Sequence, residues 1–352
     1  MGNEDIINFQ DGKIVNRRWK ILKRLGAGSC GAVYHVQDLD RPMVEGALKA
    51  ERNNLEDGGV LKLEVEVLRK LSHRPHALQL MDASKRPNYS YMTMTLCDRD
   101  LMAIRQYLQQ TYNTSFSTAS ILRIAVHGLY AIKQIHEVRY IHRDVKPGNL
   151  VTGRSGRARK MVYLIDYGMA RSYVVPGGDA LRKPRKHALL RGTLRYVSMN
   201  VHERKEQGRM DDLWALIYSL AHLYAGLPWA ADREEAVIRK KKSSLTDDEV
   251  FKECPPEFTQ FAKQLRTLRY EDIPDYHAFY QILVAGMNRV GTHFTDRYDW
   301  EPESQGSNQL ETCIETSSRE KETHKPLPQP DYDYQCFPNV RPEMFKNTDM
   351  KI

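Results

Sequence analysis

Cysteine is scarce in this sequence of 352 residues, and its placement excludes the common cysteine-based scaffolds. No pair has the spacing of metal ligands, and the odd count argues against the disulfide framework of a secreted domain. Scattered thiols suit a reducing compartment, so we expect an intracellular protein, in the cytoplasm and with the nucleus left open. The five are Cys30, Cys97, Cys254, Cys313 and Cys336.

Targeting signals and long apolar runs are also lacking. We expect no secretory signal at the start of the chain, and Ile6 stands where myristoylation of Gly2 requires Ser or Thr. The stretch 213–231 is nearly uncharged and about as long as a membrane span. Because Gly226 and Pro228 interrupt it, we interpret it as a buried helix of a large domain and expect no membrane span.

Acidic residues are too few to balance the basic ones, and the formal net charge is +8. A positive surface favours acidic partners, which include phosphorylated proteins, nucleic acids and anionic membranes. Neither zinc-finger spacing nor an aromatic RNA-binding motif accompanies the basic residues. We therefore assign the charge to acidic or phosphorylated protein substrates and expect no nucleic-acid partner.

The predicted strands come mostly before the predicted helices. The first hundred residues carry one helical pattern, at 60–71, and strand patterns at 19–25, 32–36, 47–50 and 91–96. Later residues are mainly helical, most clearly at 101–109 and 118–136, with one short strand predicted at 161–165. This order predicts an α+β protein of two lobes: a small antiparallel sheet with one main helix, then a larger, mostly helical lobe.

The composition divides the chain into three parts. We predict a polar lead-in at 1–18, a folded domain at 19–295 with lobes of about 19–96 and 98–295, and a tail at 296–352. The tail is rich in Glu, Ser, Thr, Gln and Pro, which predicts that it is largely disordered. Its candidates for anchoring part of it to the domain are Tyr332, Tyr334, Phe337 and Phe345.

Three glycines in a G-x-G-x-x-G pattern, Gly26, Gly28 and Gly31, form the first candidate site. Alone the pattern is weak, because dinucleotide-binding domains also use it, with a helix after the glycines. Here the run 32–36 is β-branched and aromatic. It favours a strand–turn–strand loop that folds over ATP phosphates, and an ordinary glycine-rich hairpin is the alternative.

A lysine and a glutamate follow at positions that suit phosphate binding. Lys49 lies in the strand pattern 47–50, and Glu64 lies in the helical pattern 60–71. A carboxylate that holds the lysine keeps its charge directed at the α- and β-phosphates. Two unrelated surface charges would be the simpler interpretation if no further motif followed.

Residues 141–149, I-H-R-D-V-K-P-G-N, contain a complete H-R-D-x-x-x-x-N motif. Phosphoryl transfer needs a carboxylate that orients the substrate hydroxyl and accepts its proton, the role predicted for Asp144. It also needs an oxygen ligand for a metal ion, the role predicted for Asn149. Lys146 is placed to reach the γ-phosphate, and in kinases a lysine here goes with Ser or Thr acceptors.

Asp166, Tyr167 and Gly168 follow the predicted strand 161–165. Asp166 is the predicted Mg²⁺ ligand that bridges the metal and the phosphates. Tyr167 stands where phenylalanine is usual, and we expect its ring to pack under the helix that carries Glu64. The substitution leaves open the balance between active and inactive arrangements.

Residues of about 19–290 resemble the casein kinase I group of protein kinases, and within it the tau-tubulin kinase branch. In place of the usual A-P-E ending, residues 191–200 have the sequence R-G-T-L-R-Y-V-S-M-N, which is similar to the group's G-T-x-R-Y-x-S-x-N signature. Three shorter motifs also resemble this group: D-D-L-W at 211–214, L-P-W at 227–229 and P-D-Y at 274–276.

The resemblance implies a two-lobed protein kinase fold, ATP and Mg²⁺ as cofactors, and transfer to Ser or Thr of acidic or phosphorylated proteins. It implies that Thr193 contacts Asp144, that Met94 is the gatekeeper and that 95–97 is the hinge that binds adenine. The nucleotide-binding positions that it implies are Gly26, Ala27, Gly28, Ser29, Gly31, Val33, Ala47, Lys49, Met94, Thr95, Cys97, Leu150 and Asp166.

An arginine and a lysine form an anion pocket in this group, and Arg195 and Lys240 match them here. Charge-assisted contacts from this pair would recognise a phosphate, whereas a solvated helix end is the alternative for the basic run 239–242. The basic residues between 182 and 187 either widen the acidic preference or form a solvated loop.

Some features depart from the group. The hinge region 97–100 is altered to C-D-R-D, and the long basic insertion 152–159 is predicted to be a surface loop. We expect a monomer. We also expect activity without a phosphorylation switch, because the segment before Thr193 contains few residues that could be phosphorylated, chiefly Ser172 and Tyr173. The rival function is a pseudokinase or scaffold, which is disfavoured because every residue expected to contact phosphate or metal is present.

Overall fold

A computed structural model of the protein describes residues 7–28, 31–53, 59–301 and 340–347. The myristoylation pattern at Gly2, the nucleotide-binding position Ser29 and the predicted disorder of 302–339 lie outside the described residues. Within them the chain forms two lobes, a curled antiparallel sheet with one helix and a larger helical lobe, as predicted.

The small lobe is built on a six-stranded antiparallel sheet with the order β1-β2-β3-β4-β6-β5. Alternate residues of its third strand, Ala32, Tyr34 and Val36, are buried in one apolar cluster with Trp19, as expected for strands with one face on a core. The strands are β1 (Ile14–Val15), β2 (Trp19–Gly28), β3 (Gly31–Asp38), β4 (Glu45–Arg52), β5 (Leu80–Lys85) and β6 (Tyr89–Thr95).

The helix of this lobe, α1 (Leu61–Leu71), has one buried face. Leu61, Leu68 and Leu71 recur on it at helical spacing and join the cluster between the lobes. Glu64 is the polar residue of that same face, so the helix directs this carboxylate toward the sheet.

The large lobe packs around α3 and α5, which are buried along nearly their whole length. Of the helices given below, α3 contacts both α5 and α9, and α8 packs against α5 and α9. The helices are α2 (Leu101–Tyr112), α3 (Thr118–Glu137), α4 (Met199–His202), α5 (Arg209–Tyr224), α6 (Glu235–Ser244), α7 (Asp247–Val250), α8 (Pro256–Leu265) and α9 (Tyr276–Val290).

The uncharged stretch 213–231 belongs to α5 and the turn after it. Gly226, at φ +95°, continues the chain beyond the helix end at Tyr224. In the part of the chain that the structure describes, no helix combines the length and the apolar character needed to cross a membrane.

Two small sheets lie at the top of the large lobe, where it meets the small one. One has the order β10-β9-β7, from β7 (Cys97–Asp100), β9 (Leu150–Gly153) and β10 (Val162–Leu164), and the other joins β8 (Tyr140–Ile141) to β11 (Arg171–Ser172). Thr152 and Gly153 are buried strand residues of β9, so the predicted surface loop 152–159 begins too early. Its exposed part starts at Arg154.

Both described ends of the predicted tail pack on the large lobe. Tyr298 and Trp300 stack with ring centroids 4.3 Å apart and join its core. Phe345, one of the four predicted anchors, is fully buried and stacks on Tyr280 of α9 at 4.4 Å. The other three anchors lie outside the described residues.

Candidate active site

The glycine loop connects β2 and β3, where Gly28 pairs with Gly31. Gly31 has φ +112°, and a Cβ there would lie 2.2 Å from the carbonyl oxygen of Ala50, so the position requires glycine. A Cβ at Gly26 or Gly28 would meet no atom within 4 Å. The protein's own packing therefore does not require these two glycines, which fits a loop whose backbone approaches a ligand.

Lys49 of β4 is held between two carboxylates. Its ammonium group forms an ion pair with Glu64 and lies 3.3 Å from Oδ1 of Asp166. Lys49, Glu64 and Asp166 are far apart in sequence, and the fold brings their side chains together as the motifs predict. It places the buried ammonium group of Lys49 between the lobes, beside the predicted metal ligand Asp166.

The two carboxylates respond differently to the same lysine. Burial raises the pKa of Glu64 to about 7 against the attraction of Lys49, because this side chain is only 1% exposed. Burial also opposes ionisation of Asp166, which is 39% exposed, but the positive charge of Lys49 holds the pKa of Asp166 below its usual range. Asp166 is thus the anion that remains available to a cation near neutral pH.

Asp144 lies at the centre of a hydrogen-bonded group at the base of the cleft. Lys146 Nζ donates to its Oδ2 at 2.6 Å, and Thr193 Oγ1 donates to its Oδ1 at 2.8 Å. The carboxylate is almost fully buried, with 4% of its side chain exposed. The contact between Thr193 and Asp144 agrees with the resemblance, and it fixes the plane of the predicted base.

Asn149 ends a 3₁₀ turn, Pro147–Asn149, just before β9. Its Nδ2 donates to the carbonyl oxygen of Asp144 at 2.9 Å, which leaves Oδ1 as the amide atom for a cation. An amide oxygen and the carboxylate of Asp166 are ligands that Mg²⁺ accepts, usually with waters and phosphate oxygens around them. The two residues fit a magnesium ion bound together with ATP.

Asp212, a residue to which the sequence assigned no role in the site, supports the backbone of the catalytic loop. Its carboxylate accepts from the backbone N–H groups of His142 at 2.7 Å and Arg143 at 2.8 Å. His136 Nε2 lies 2.9 Å from the same carboxylate. Arg143 has φ +68°, an unusual conformation for a side-chain-bearing residue, and these contacts hold it there.

Tyr167 packs where a phenylalanine is usual. Its ring is buried in the cluster that includes Leu61 and Leu68 of α1, as predicted, and it lies edge-on to His142 at 5.5 Å. Its hydroxyl donates to the carbonyl oxygen of Leu164 at 2.8 Å. The extra polar atom therefore has a partner, and the ring keeps its place below the helix that carries Glu64.

The remaining predicted nucleotide positions surround the cleft. Val33 pairs with Lys49 across β3 and β4, and Ala47 pairs with Met94 across β4 and β6. The hinge follows at Thr95 and Cys97, and Leu150 begins β9 below it. Cys97 is half-buried among apolar residues of the inter-lobe cluster, which agrees with its interpretation as a small hydrophobe.

The segment 191–200 is fixed at both ends. Gly192, at φ +102°, lies so close to Arg143 that a Cβ would be 2.4 Å from the arginine carbonyl oxygen. At the other end, Ser198 donates to Asp211 at 2.5 Å and Asn200 donates to it at 3.3 Å. The residues that replace A-P-E are thus tied to the start of α5.

The two predicted pocket residues are placed differently. Arg195 is half-buried, and its Nε has no partner among the described residues. Lys240 is exposed on α6, and in the described ranges its side chain makes no hydrogen bond or ion pair. The buried lysine of this run is Lys242, whose importance the sequence did not indicate.

A second group of basic residues lies beside the catalytic loop. Burial, and then repulsion by Arg171, Arg185 and Arg191, lowers the pKa of Arg143 to about 10. Glu206 counters part of this charge, since it pairs with Arg185 and lies 3.6 Å from Arg171. The surface next to Asp144 is therefore strongly positive.

Comparison with known families matches residues 19–273 to the protein kinase domain. A Caenorhabditis elegans protein, provisionally named as a serine/threonine-protein kinase, is 35% identical over 295 residues, 83% of this chain and 84% of the relative. A Dictyostelium discoideum protein with a similar provisional name is 33% identical over 84% of this chain, which spans 59% of that relative. An inactive tau-tubulin kinase of C. elegans, ttbk-6, is 33% identical over 68% of this chain and 87% of its own length.

Proposed function

The chain belongs to the protein kinase family and is a serine/threonine kinase, and we propose that it transfers the γ-phosphate of ATP to acidic or phosphorylated protein sites. One observation supports the proposal that the protein catalyses phosphoryl transfer. The ion pair of Lys49 and Glu64, the carboxylate of Asp166 and the hydrogen-bonded Asp144 are all assembled in one cleft.

Each residue then has a defined part in the proposed reaction. Lys49 would bind phosphate oxygens, Asp166 and Asn149 would hold the magnesium ion, and Asp144 would orient the Ser or Thr hydroxyl and take its proton. Lys146 donates to Asp144 Oδ2 and would bind the transferred phosphate next to the base. Bound ATP and Mg²⁺ supply the phosphoryl group and the charge that stabilises its transfer.

We also propose that the chain belongs to the casein kinase I group, closest to the tau-tubulin kinase branch. The relative named as a tau-tubulin kinase supports this, as does the anchoring of Ser198 and Asn200 to Asp211. Because that relative is named inactive, a pseudokinase remains the second candidate. The complete set of phosphate- and metal-binding residues favours the active enzyme.

The acidic preference is supported by the positive surface around the catalytic loop. Arg143, Arg171, Arg185 and Arg191 repel one another across this surface, so a phosphate or carboxylate nearby would relieve the repulsion. Arg195 adds a guanidinium whose Nε has no partner among the described residues. The short supply of acceptors before Thr193 supports activity without a phosphorylation switch.

The first test of this proposal is transfer of labelled phosphate to casein by the full chain, compared with Asp166→Asn. We expect incorporation into Ser or Thr by the native protein and its loss in the variant, because the cation loses a charged ligand. ATP and Mg²⁺ binding without any transfer by the native protein would instead establish the pseudokinase.

The substrate preference has its own test, a pair of peptides that differ only in a phosphoserine beside the acceptor. Arg195→Ala combined with Lys240→Ala should raise KM for the phosphorylated peptide and leave ATP binding unchanged. An equal loss on both peptides would remove these two residues from the proposed pocket.

A further inference from the structure

α6 carries four consecutive basic residues, 239–242, and only one of them is buried. Arg239 and Lys240 are exposed, and Lys241 pairs at the surface with Asp232 at 2.8 Å. Lys242 is 3% exposed. A lysine is almost never buried without a partner, so the environment of this ammonium group needs an explanation.

Three hydrogen-bond acceptors surround Nζ of Lys242, and none of them is a carboxylate. Nζ donates to the carbonyl oxygens of Leu194 at 3.0 Å and Val197 at 2.5 Å, and it lies 3.4 Å from Nε2 of His202. Burial, followed by the charge of Lys242, lowers the pKa of His202 to about 4. The imidazole is therefore neutral, and its Nε2 accepts.

Two aromatic rings complete the environment of this amino group. Nζ lies 5.1 Å from the ring centroid of Tyr218 and 5.3 Å from that of Trp229, within the range of cation–π attraction. Among the described residues no acidic side chain forms an ion pair with Lys242, and burial lowers the pKa of its amino group to about 7. Its N–H donors are directed at two backbone carbonyls of one segment.

That segment, 194–197, lies between two parts of the active site. Thr193 before it donates to Asp144, and Ser198 after it donates to Asp211. Trp229 Nε1 donates to the carbonyl oxygen of Arg195 at 2.9 Å. Three carbonyls of this short stretch are therefore held by donors from α6 and from the L-P-W turn.

We propose that Lys242 is a positioning residue for protein substrates: it holds segment 194–197 so that an acceptor peptide can bind beside Asp144. The proposal rests on the proposed kinase function and deepens it. The described contacts of Lys242 are with Leu194, Val197, His202, Tyr218 and Trp229, outside the ATP site, so we expect its effect on the peptide and not on ATP. Arg195, which lies between the carbonyls that Lys242 and Trp229 hold, is placed by the same contacts.

The test compares the full-length native protein with Lys242→Met, which keeps the length of the side chain and removes its donors. We expect KM for an acidic peptide to rise about tenfold or more, as loss of two buried hydrogen bonds to the segment allows, while KM for ATP changes less than about twofold. Lys242→Arg, which restores donors, should recover part of the peptide affinity. Lys263→Met is the matched control, since Lys263 forms only an exposed pair with Asp248 on α7.

A second variant covers the case in which Lys242→Met does not fold. Trp229→Phe removes the donor to Arg195 and keeps a ring beside Lys242, so it should also raise the peptide KM and not the ATP KM. Unchanged peptide KM in these variants would overturn the proposal. So would a parallel loss of ATP binding, peptide use and melting temperature without rescue by arginine, since that pattern belongs to a residue that only stabilises the fold.

A separate binding measurement keeps this proposal distinct from the kinase assignment. Fluorescence anisotropy of a labelled acidic peptide, with a non-hydrolysable ATP analogue and Mg²⁺, reports peptide affinity without turnover. If the native protein binds the peptide but transfers no phosphate, the proposed function fails and weaker binding by Lys242→Met still supports the positioning role. If the native protein transfers phosphate and the variant binds peptide equally well, the positioning role fails alone.

Discussion

Thr193 Oγ1 donates to Asp144 Oδ1 at 2.8 Å, so the segment that follows the catalytic loop by about fifty residues fixes the orientation of the predicted base. Lys146 occupies the other oxygen of the same carboxylate at 2.6 Å. With both oxygens engaged, the carboxylate has little freedom to rotate, and a substrate hydroxyl meets it in one geometry.

Replacing Thr193 by valine should therefore slow the chemical step. Loss of one hydrogen bond to a charged group is worth about 1.5–3 kcal/mol, which corresponds to a decrease in kcat of roughly 10- to 100-fold. Thr193→Ser keeps the hydroxyl and should retain most of the activity. The measurement is steady-state kinetics with casein, and a native kcat in the valine variant would show that Asp144 needs no such partner.

Tyr167→Phe should keep the activity and reduce the stability slightly. The ring stays in the inter-lobe cluster, while the buried hydrogen bond to the Leu164 carbonyl oxygen is lost. We expect the free energy of unfolding to fall by about 1 kcal/mol, measured by urea denaturation. Tyr112→Phe, at an exposed ring, is the control, and strong inactivation by Tyr167→Phe would assign the hydroxyl a direct role in the active arrangement.

The Lys49–Glu64 pair should make ATP use depend on pH. Because burial raises the pKa of Glu64 from 4.5 to about 7, Lys49 loses one of its two anionic partners as the pH falls below that value, and Asp166 remains. We expect kcat/KM for ATP to increase from about pH 6 to about pH 8. This increase with pH should be absent in Glu64→Gln, because the glutamine side chain cannot ionise. We expect the overall activity of this variant to be lower than that of the native protein.

The same group affects stability in the opposite direction. A carboxyl whose pKa is raised on folding binds its proton more tightly in the folded state, so its contribution is greatest below pH 4.5 and is lost as the pH rises through about 7. Thermal unfolding of the native protein and Glu64→Gln over this range separates the two effects. If the melting temperatures of both proteins depended on pH in the same way, the pH dependence of the activity would have to come from another residue.

Phe345→Ala should destabilise the large lobe although the residue lies far beyond the catalytic motifs. Its ring is fully buried against Tyr280 and lies 5.5 Å from Tyr130 of α3. Truncating a buried phenylalanine costs about 3–5 kcal/mol, which urea denaturation of the full chain will measure. The neighbouring exposed residue provides the control, Glu343→Ala, and equal stabilities of the two variants would mean that the segment does not dock in solution.

The two lobes and the main site residues could be predicted from the sequence because short local motifs and periodic patterns determine both. Gly31, Lys49 and Asp144 each stand in a motif whose spacing indicates its element, and the motifs occur in the order that one cleft requires. Strand β10 is shorter than predicted, Val162–Leu164 instead of 161–165, because its ladder with β9 extends only over these three residues.

Other relationships depend on contacts that no local pattern contains. The rotation of α6 against Tyr218 and Trp229 decides which residue of the run 239–242 is buried. Because all four residues of the run are basic, the sequence contains no hydrophobic pattern that distinguishes the buried one. The support of the catalytic loop by Asp212 joins elements about seventy residues apart. The docking of Phe345 follows a long polar stretch without periodicity, so the sequence marked the residue only as a candidate.

Two separate stretches of the chain after α9 pack on the large lobe, one at Tyr298 and Trp300 and the other at Val340 and Phe345. The second stretch is held there both by its own contacts and by its covalent link to the first. A single cut within 302–339 would turn an intramolecular contact into a two-body equilibrium governed by concentration. The C-terminal segment would then dissociate on dilution, and limited proteolysis followed by gel filtration would reveal the loss.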